Sequence, residues 1–322
     1  MQLLGARFRA IFGAGLVAVG LASAPASARA EDFITVLTGG TSGVYYPLGV
    51  AMTKLFTDKM KNVRPSVQAT KASVENLNLL QQGKGEIAFS LGDSVALAWN
   101  GDAEAGFKSK LDKLRGVGAV YPNYIQIVAS KESGIKTLAD LKGKKLSVGA
   151  PKSGTELNAR AILNAAGITY KDLGKIEYLP FAESVDLMKN RQLDATLQSA
   201  GLGVASIRDL STSVEINVVE IPAAIVDKIG APYIKATIPA KTYGGQEADV
   251  ATAAVVNYLV TRSDLSDELV YQMAETIFDN VPDLVAAHKA ASAIDVKTAL
   301  QGMPIPMHPG AQKYFTEKGV SK

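Results

Sequence analysis

Short apolar runs alternate with amphipathic helical patterns along this chain, and this alternation limits the fold more than any other feature of the sequence. The segments 33–37 and 87–91 have the composition of buried strands. Between them, the segment 46–60 places its apolar residues at helical spacing. Strands that alternate with helices in this way are typical of parallel pairing. We predict an α/β protein with mixed, mostly parallel sheets flanked by helices.

A glycine-rich turn joins the first predicted strand to the first predicted helix. The residues Gly39-Gly-Thr-Ser-Gly43 have small side chains, so their backbone N–H groups can converge on one anion. The positive end of the helix dipole lies at the same place, and the hydroxyls of Tyr45 and Tyr46 follow directly. The turn predicts capture of a small acidic molecule. Helix capping is the alternative role for its Thr and Ser side chains.

Small polar or acidic residues follow later predicted strands in both halves of the chain. They include Ser73, Asp93, Ser153 and Glu156. Because ligands of parallel α/β sheets bind beyond the carboxyl ends of the strands, we expect two such halves to close on one ligand. Each residue also has a structural alternative, since Ser73 and Asp93 can cap helices and Ser153-x-x-Glu156 has capping-box spacing. Asp93 could instead accept a hydrogen bond from a ligand ammonium.

The first thirty residues have the layout of a secretory signal peptide. Arg7 and Arg9 precede an uncharged apolar stretch at 10–22, and a small-x-small site ends at Ala30. The apolar stretch is shorter than the roughly 20 residues that a membrane span needs. We predict cleavage after Ala30 and a periplasmic mature protein.

Charge and cysteine content weigh against several classes of function. The chain has 34 Lys and Arg residues, three of them within 1–30, against 31 Asp and Glu residues, so residues 31–322 are net neutral. This balance gives no reason to expect nucleic-acid binding. The absence of cysteine excludes disulfides, thiol nucleophiles and thiolate metal sites.

Enzyme signatures are weak throughout the sequence. The two histidines, His288 and His308, both lie near the C-terminus, and no Gly-x-Ser-x-Gly elbow is present. The turn at 39–43 lacks the Gly-Lys-[Ser/Thr] ending of a phosphate-binding loop. We therefore predict no catalytic residue, no metal site, no cofactor and no enzymatic activity.

Several of these segments together resemble the TAXI family, the extracytoplasmic solute receptors of one class of TRAP transporter. The resemblance covers nearly all of residues 31–322, in order. It is carried by Thr38-Gly-Gly-Thr-Ser-Gly-Val-Tyr-Tyr-Pro47, Ser73-Val-Glu-Asn-Leu77, Ala88-Phe-Ser-Leu-Gly-Asp93, Ser133-Gly-Ile-Lys-Thr-Leu-Ala-Asp-Leu-Lys-Gly143, Val148-Gly-Ala-Pro-Lys-Ser-Gly-Thr-Glu156, Ile238-Pro-Ala-Lys-Thr-Tyr243 and His308-Pro-Gly-Ala311.

The resemblance implies a two-lobed periplasmic binding protein fold, type II-like, with the ligand cleft between the lobes. Residues 31–122 and 235–322 would form lobe I, and residues 123–234 would form lobe II. The ligand would be a small carboxylate, such as glutamate, 2-oxoglutarate or a related dicarboxylate or amino acid. An ion-gradient-driven TRAP permease would receive it from a monomeric receptor. A periplasmic sensor of the same fold, reporting to a membrane partner, is the alternative, and a hydrolase is the third candidate.

The resemblance also implies which residues contact the ligand, and it shows one departure. The family usually has glycine where this chain has Lys152, which could reach a second ligand carboxylate or point to solvent. The implied contacts are Thr41, Ser42, Gly43, Tyr45, Ser73, Asn76, Asp93, Ser153, Thr155 and Glu156.

Overall fold

The structure is a computed structural model that describes residues 31–320, so the predicted signal peptide at 1–30 lies outside the described residues. The described residues form ten strands that all belong to one sheet. The strands are β1 Asp32–Leu37, β2 Val63–Gln68, β3 Ile87–Leu91, β4 Leu114–Ser130, β5 Lys145–Ser147, β6 Lys175–Glu177, β7 Ala195–Ala200, β8 Ile216–Val219, β9 Ile234–Ile238 and β10 Val250–Arg262.

Helices flank this sheet and follow most of its strands. The α-helices within residues 31–320 are α1 Tyr45–Lys59, α2 Ser73–Gln81, α3 Gly92–Asn100, α4 Gly154–Ala165, α5 Phe181–Lys189, α6 Ala205–Ser213, α7 Ala223–Ile229, α8 Asp267–Phe278, α9 Val281–Ala287 and α10 Pro309–Glu317. Short 3-10 turns occupy Lys131–Ser133, Leu138–Leu141, Tyr170–Asp172, Lys289–Ala293 and Val296–Thr298. None of the helices in this part of the chain combines the length and apolar character that crossing a bilayer requires.

Two long antiparallel strands hold the sheet together at its centre. Its order is β2-β1-β3-β10-β4-β7-β5-β6, with β8 beside β4 and β9 beside β10. The strands β1, β2 and β3 pair in parallel, as do β5, β6 and β7, whereas every pairing that involves β4 or β10 is antiparallel. The predicted parallel pairing therefore holds on each side of the centre, and the centre itself is antiparallel.

The sequence predicts two strands, at 116–121 and 124–130, separated by Pro122-Asn123. This break is wrong, because β4 runs without interruption from Leu114 to Ser130. Pro122 lies opposite Val256 of β10, and the register shifts between Val256 and Tyr258. Proline has no N–H to donate to a sheet, and such an irregularity is where a sheet tolerates it.

The sequence also predicts a helix at 247–260. This prediction is wrong, because the segment contains most of β10. Its run of Ala and Val lacks a clear period, and an apolar run of this kind fits a buried strand as well as a buried helix. The structure places it between β3 and β4, where Ala253, Val255 and Leu259 are fully buried. Because the segment is buried inside the sheet, it forms a strand and not a helix, and β-branched side chains such as Val pack well in a strand.

The C-terminal motif His308-Pro-Gly-Ala311 has a packing role. His308 is buried, and its Nδ1 accepts a hydrogen bond from the N–H of Gly310 at 3.2 Å, which caps α10. A Cβ on Gly310 would lie 2.1 Å from the carbonyl oxygen of Asp267, so only glycine allows α10 to approach α8 this closely. Burial also lowers the pKa of the His308 imidazole.

Candidate functional site

A cavity of about 110 Å³ lies at the carboxyl ends of β1, β3 and β7. One buried water needs about 10–15 Å³ measured in this way, so the cavity has room for a small molecule. Its walls are mainly backbone and apolar side chains, with a few hydroxyl and amide groups among them.

Five helices within residues 31–320 begin at this cavity. Each start of a helix carries about half a positive elementary charge and presents N–H groups that the helix itself leaves without acceptors. Five such ends around one small space favour an anion. The lining residues at these starts are Val44 and Tyr45 of α1, Ala72 and Ser73 of α2, Leu91 before α3, Ser153, Gly154 and Thr155 of α4, and Pro180 and Phe181 of α5.

The glycine-rich turn forms one wall of the cavity. The N–H of Gly43 donates to the carbonyl of Gly40 at 3.0 Å, which closes the turn before α1. Gly39 and Gly40 line the cavity, and their N–H groups have no acceptor among the described residues. The turn therefore presents backbone donors, as the sequence predicts.

At the start of α2 the structure differs from the predicted capping. Ala72, not Ser73, is the N-cap, and it has φ of 73°. The Oγ of Ser73 accepts a hydrogen bond from the N–H of Leu91 at 3.2 Å. Ser73 therefore ties the end of β3 to the start of α2 while it lines the cavity.

The start of α4 is docked against the start of α2. The Oγ of Ser153 accepts a hydrogen bond from the N–H of Glu156 at 3.2 Å, so Ser153 is the N-cap. A Cβ on Gly154 would lie 2.6 Å from the Oγ of Ser73. The two helix starts can therefore approach this closely only because residue 154 has no side chain.

Lys152 completes this contact through its backbone. Its carbonyl accepts a hydrogen bond from the N–H of Glu75 at 3.1 Å, and its φ of 61° lies in the left-handed region that glycine adopts most easily. The side chain of Lys152 is exposed and does not line the cavity. Lysine, where the TAXI family usually has glycine, therefore adds backbone strain at this position. It does not change the lining of the cavity.

Two buried hydroxyl groups in the lining have no partner. Tyr121 is 1% exposed and Ser199 is 5% exposed, and neither hydroxyl oxygen has a hydrogen-bond partner among the described residues. Buried polar groups are nearly always paired, so these two are candidates for ligand contact. Burial raises the pKa of the Tyr121 phenol well above its ordinary value, which keeps it a donor.

A buried network fixes the side chains around Tyr121. The Nδ2 of Asn257 donates to the carbonyl of Tyr121 and to the Oδ1 of Asn123, both at 2.8 Å. The hydroxyl of Tyr45 donates to the Oδ1 of Asn257, and the ring of Tyr45 stacks on Phe89 with centroids 4.9 Å apart. Three residues of the lining are therefore positioned by one asparagine that does not itself line the cavity.

Comparison with known proteins assigns the chain to a family. The sequence model of the NMT1-like family matches residues 36–319, which is most of the chain. The chain belongs to the NMT1-like family.

Solved structures similar to this NMT1-like protein are binding proteins with little sequence identity to it. The periplasmic binding protein BugD has a TM-score of 0.56 at 12% identity, over 91% of this chain and 95% of BugD. The alkanesulfonate-binding protein SsuA from Xanthomonas axonopodis pv. citri, bound to MOPS, has a TM-score of 0.51 at 13% identity, over 90% of this chain and 92% of SsuA. A binding protein component of an ABC phosphonate transporter from Pseudomonas aeruginosa has a TM-score of 0.51 at 12% identity, over 81% of this chain and 79% of that protein.

These likenesses confirm the predicted fold of the NMT1-like protein, which is the α/β fold of periplasmic binding proteins. Its assignment to the TAXI family of TRAP receptors stays a prediction. The lobe boundaries also stay a prediction, and the first of them, between residues 122 and 123, falls inside β4.

The structure brings half of the predicted contact residues of the NMT1-like protein together at the cavity. The residues that line it are Gly43, Tyr45, Ser73, Ser153 and Thr155. The residues outside the lining are Thr41, Ser42, Asn76, Asp93 and Glu156.

Three of the residues outside the lining bind other parts of the protein. The Nδ2 of Asn76 donates to the carbonyls of Thr38 at 2.7 Å and Phe89 at 2.9 Å. The carboxylate of Glu156 pairs with Arg160 at 2.7 Å, on the same helix. Asp93 is the third of these residues, while Thr41 is exposed and Ser42 is half-buried.

Asp93 is the acceptor at the centre of a buried contact between α3 and α4. Its Oδ2 accepts hydrogen bonds from the Nδ2 of Asn158 at 2.6 Å and from the hydroxyl of Tyr233 at 2.7 Å. Its Oδ1 accepts one from the N–H of Ser94 at 2.6 Å. Burial raises the pKa of this carboxyl from its ordinary value of 3.8, although the three hydrogen bonds act in the opposite direction.

This raised pKa predicts a pH-dependent stability. The folded state holds the Asp93 proton to higher pH than the unfolded state, so this stabilisation is complete below pH 3.8 and is lost as pH rises through the folded pKa. The variant Asp93→Asn has no such proton. We expect the unfolding free energy of the wild type minus that of the variant to fall as the pH rises from 3.8 through the folded pKa of Asp93. Above that pKa the difference should level off. Urea denaturation at a series of pH values measures it, and a difference that rises with pH would contradict the assignment.

The described residues give no sign of a metal or of catalytic histidine chemistry at the cavity. No group of three His, Cys, Asp or Glu side chains within 31–320 is arranged to hold a metal ion. Neither His288 nor His308 lines the cavity.

Proposed function

We propose that this protein is a periplasmic receptor that binds a small carboxylate and carries it to a membrane permease. The observation that carries the proposal is the convergence of five helix starts on one cavity, whose lining residues Tyr121 and Ser199 have unpartnered hydroxyls. Backbone N–H groups of the turn at 39–43 and of the α4 start would bind the carboxylate oxygens. The hydroxyls of Tyr121 and Ser199 would add further donors. Since no histidine or carboxylate among the described residues lines the cavity, binding without conversion is the function that fits.

The predicted lobes give this cavity a way to open. Its lining comes from residues 39–91 and Tyr121, which would belong to lobe I, and from Asn123, 150–181 and 199–200, which would belong to lobe II. The connections about which the lobes move would then be β4, between residues 122 and 123, and the start of β9, between residues 234 and 235. Ligand binding would favour the closed form by the contacts that only this form makes.

The type of permease follows from the motif resemblance, which favours an ion-gradient-driven TRAP permease. The phosphonate-binding neighbour belongs to an ABC transporter, which uses ATP, so the two types need a direct test. Uptake of the bound acid by cells that express the receptor with its permease should stop when the ion gradient is collapsed and should persist when ATP is depleted. The reverse result would assign an ABC transporter.

A thermal-shift screen tests the proposed ligand class. The purified protein, unfolded and refolded to remove any ligand carried through purification, is tested with valerate, norvaline, glutarate, glutamate, 2-oxoglutarate and succinate, called here the carboxylate panel. A ligand at 100 times its Kd stabilises by about 2.7 kcal/mol, which raises Tm measurably. Valeramide, the uncharged amide of valerate, is the control and should give no shift. No shift with any acid of the panel would contradict the proposal.

The two unpartnered hydroxyls predict specific losses of affinity. Tyr121→Phe and Ser199→Ala each remove one donor to a charged ligand oxygen, so we expect Kd to rise about tenfold in each variant. Thr196→Val is the matched control, because Thr196 lies on the same strand as Ser199 and its buried hydroxyl is also unpartnered, but it does not line the cavity. Its Kd should equal that of the wild type. Equal losses in all three variants would contradict the proposed contacts.

A further inference from the structure

We propose that the ligand of this cavity carries no ammonium group, so that the receptor selects a deaminated carboxylate over the matching amino acid. This inference rests on the proposed function and names the substrate class of the same site. A buried ammonium needs a negative partner or several acceptors, because an unpaired buried charge is strongly unfavourable. The residues of 31–320 that line the cavity include no Asp and no Glu.

The charge that does border the cavity is positive. Lys71 is the one charged residue in the lining formed by the described residues, and its side chain is exposed at the rim. A lysine at this position attracts a carboxylate and repels an ammonium. The five helix starts act in the same direction, because they present the positive ends of their dipoles.

Four of these five helices carry an acidic residue in the first turn, and the contacts of those carboxylates decide whether they oppose this charge. The residues are Glu75, Asp93, Glu156 and Glu183. None of them lines the cavity. The carboxylate of Glu75 accepts a hydrogen bond from the N–H of Lys71 at 2.5 Å, and Glu183 is exposed.

The two buried carboxylates are both occupied by donors of the protein. Asp93 accepts hydrogen bonds from Asn158, Tyr233 and Ser94, and burial raises the pKa of its carboxyl. Glu156 accepts from the guanidinium of Arg160 at 2.7 Å and from the hydroxyl of Tyr170 at 2.9 Å. Neither is free to receive a ligand ammonium.

The free polar groups in the lining are better matched to an anion. The unpaired N–H groups of Gly39 and Gly40 can only donate. The hydroxyls of Tyr121 and Ser199 can donate or accept, yet as acceptors they offer an ammonium no negative charge. An amino acid would therefore place its ammonium in a lining that offers it no negative partner.

Four acids with five-carbon chains test this inference. Valerate and norvaline differ only in the amino group, and so do glutarate and glutamate. Isothermal titration of the refolded protein with each acid gives the affinity ratio within each pair, and the number of carboxylates stays constant within the pair. We expect the acid without the amino group to bind at least about 100-fold more tightly than its amino acid, in whichever pair binds.

The outcomes separate this inference from the proposed function. Binding of norvaline or glutamate as tightly as the deaminated acid would overturn the inference and leave a small-carboxylate receptor in place. Failure of all four acids, together with no shift across the rest of the carboxylate panel, would overturn the proposed function and the inference with it.

Discussion

Replacing Gly154 with valine should raise the Kd of the tightest-binding acid of the carboxylate panel about 100-fold while the protein still folds. A Cβ at residue 154 would lie 2.6 Å from the Oγ and 3.0 Å from the Cβ of Ser73, and 2.7 Å from the Cδ1 of Leu91. Rotation of the serine hydroxyl can relieve the first overlap, but the Cβ of Ser73 cannot move without the start of α2. The two methyl groups of valine therefore force α4 away from α2 and from the ligand.

The effect on affinity should be graded with the size of the side chain. Gly154→Ala should give a smaller loss of affinity than Gly154→Val. Asn164→Val introduces the same side chain at an exposed position of the same helix and should leave the Kd unchanged. Titration calorimetry gives the affinities, and thermal unfolding without ligand gives the stabilities. If Gly154→Val binds as tightly as the wild type, the close docking of α2 and α4 has no role in holding the ligand.

The sequence predicts one wall of the site well because that wall is local in the chain. The turn at 39–43 needs only a strand before it, a helix after it and small residues between them, and all three can be inferred from a short window. Gly43 and Tyr45 accordingly line the cavity. Ser153 and Thr155 lie at the start of α4 for the same reason.

Other parts of the site depend on contacts between distant segments, which no short window contains. Ser199 lies in the lining because β7 pairs with β4 in a register that puts Ser199 opposite Ile125. Tyr121 lines the same cavity and lies in β4, which the sequence wrongly predicts to be two strands separated at Pro122. Asp93 has the residue type and position expected of a ligand contact, yet its carboxylate accepts hydrogen bonds from the distant residues Asn158 and Tyr233.

The central strand β10 shows the same limit at the level of the fold. Its two neighbours at the centre of the sheet, β3 and β4, lie more than 100 residues before it, and only β9 is close to it in sequence. Its own residues, rich in Ala and Val, do not choose between helix and strand. The misassignment also hides Asn257, the polar residue on β10 that positions the cavity wall.

Replacing Asn257 with leucine should lower the free energy of unfolding by about 3 to 5 kcal/mol. The side chain of Asn257 is fully buried, and leucine has a similar branched shape without polar atoms. Three buried groups would lose their partner, namely the hydroxyl of Tyr45, the carbonyl of Tyr121 and the Oδ1 of Asn123. Each buried group left unsatisfied costs about 1–3 kcal/mol. Urea denaturation of the ligand-free protein measures the change.

Two further variants distinguish the lost hydrogen bonds from a general disturbance of the sheet. Asn217→Leu makes the same substitution on β8, where the half-buried side chain makes one hydrogen bond, to the carbonyl of Ile135 at 3.1 Å, so we expect a loss of about 1 kcal/mol or less. Tyr45→Phe removes one partner of Asn257, so the loss in the double variant with Asn257→Leu should be smaller than the sum of the two single losses by about 1 kcal/mol. Additive losses would mean that Tyr45 and Asn257 are not coupled, and Tyr45 would then be held by packing alone.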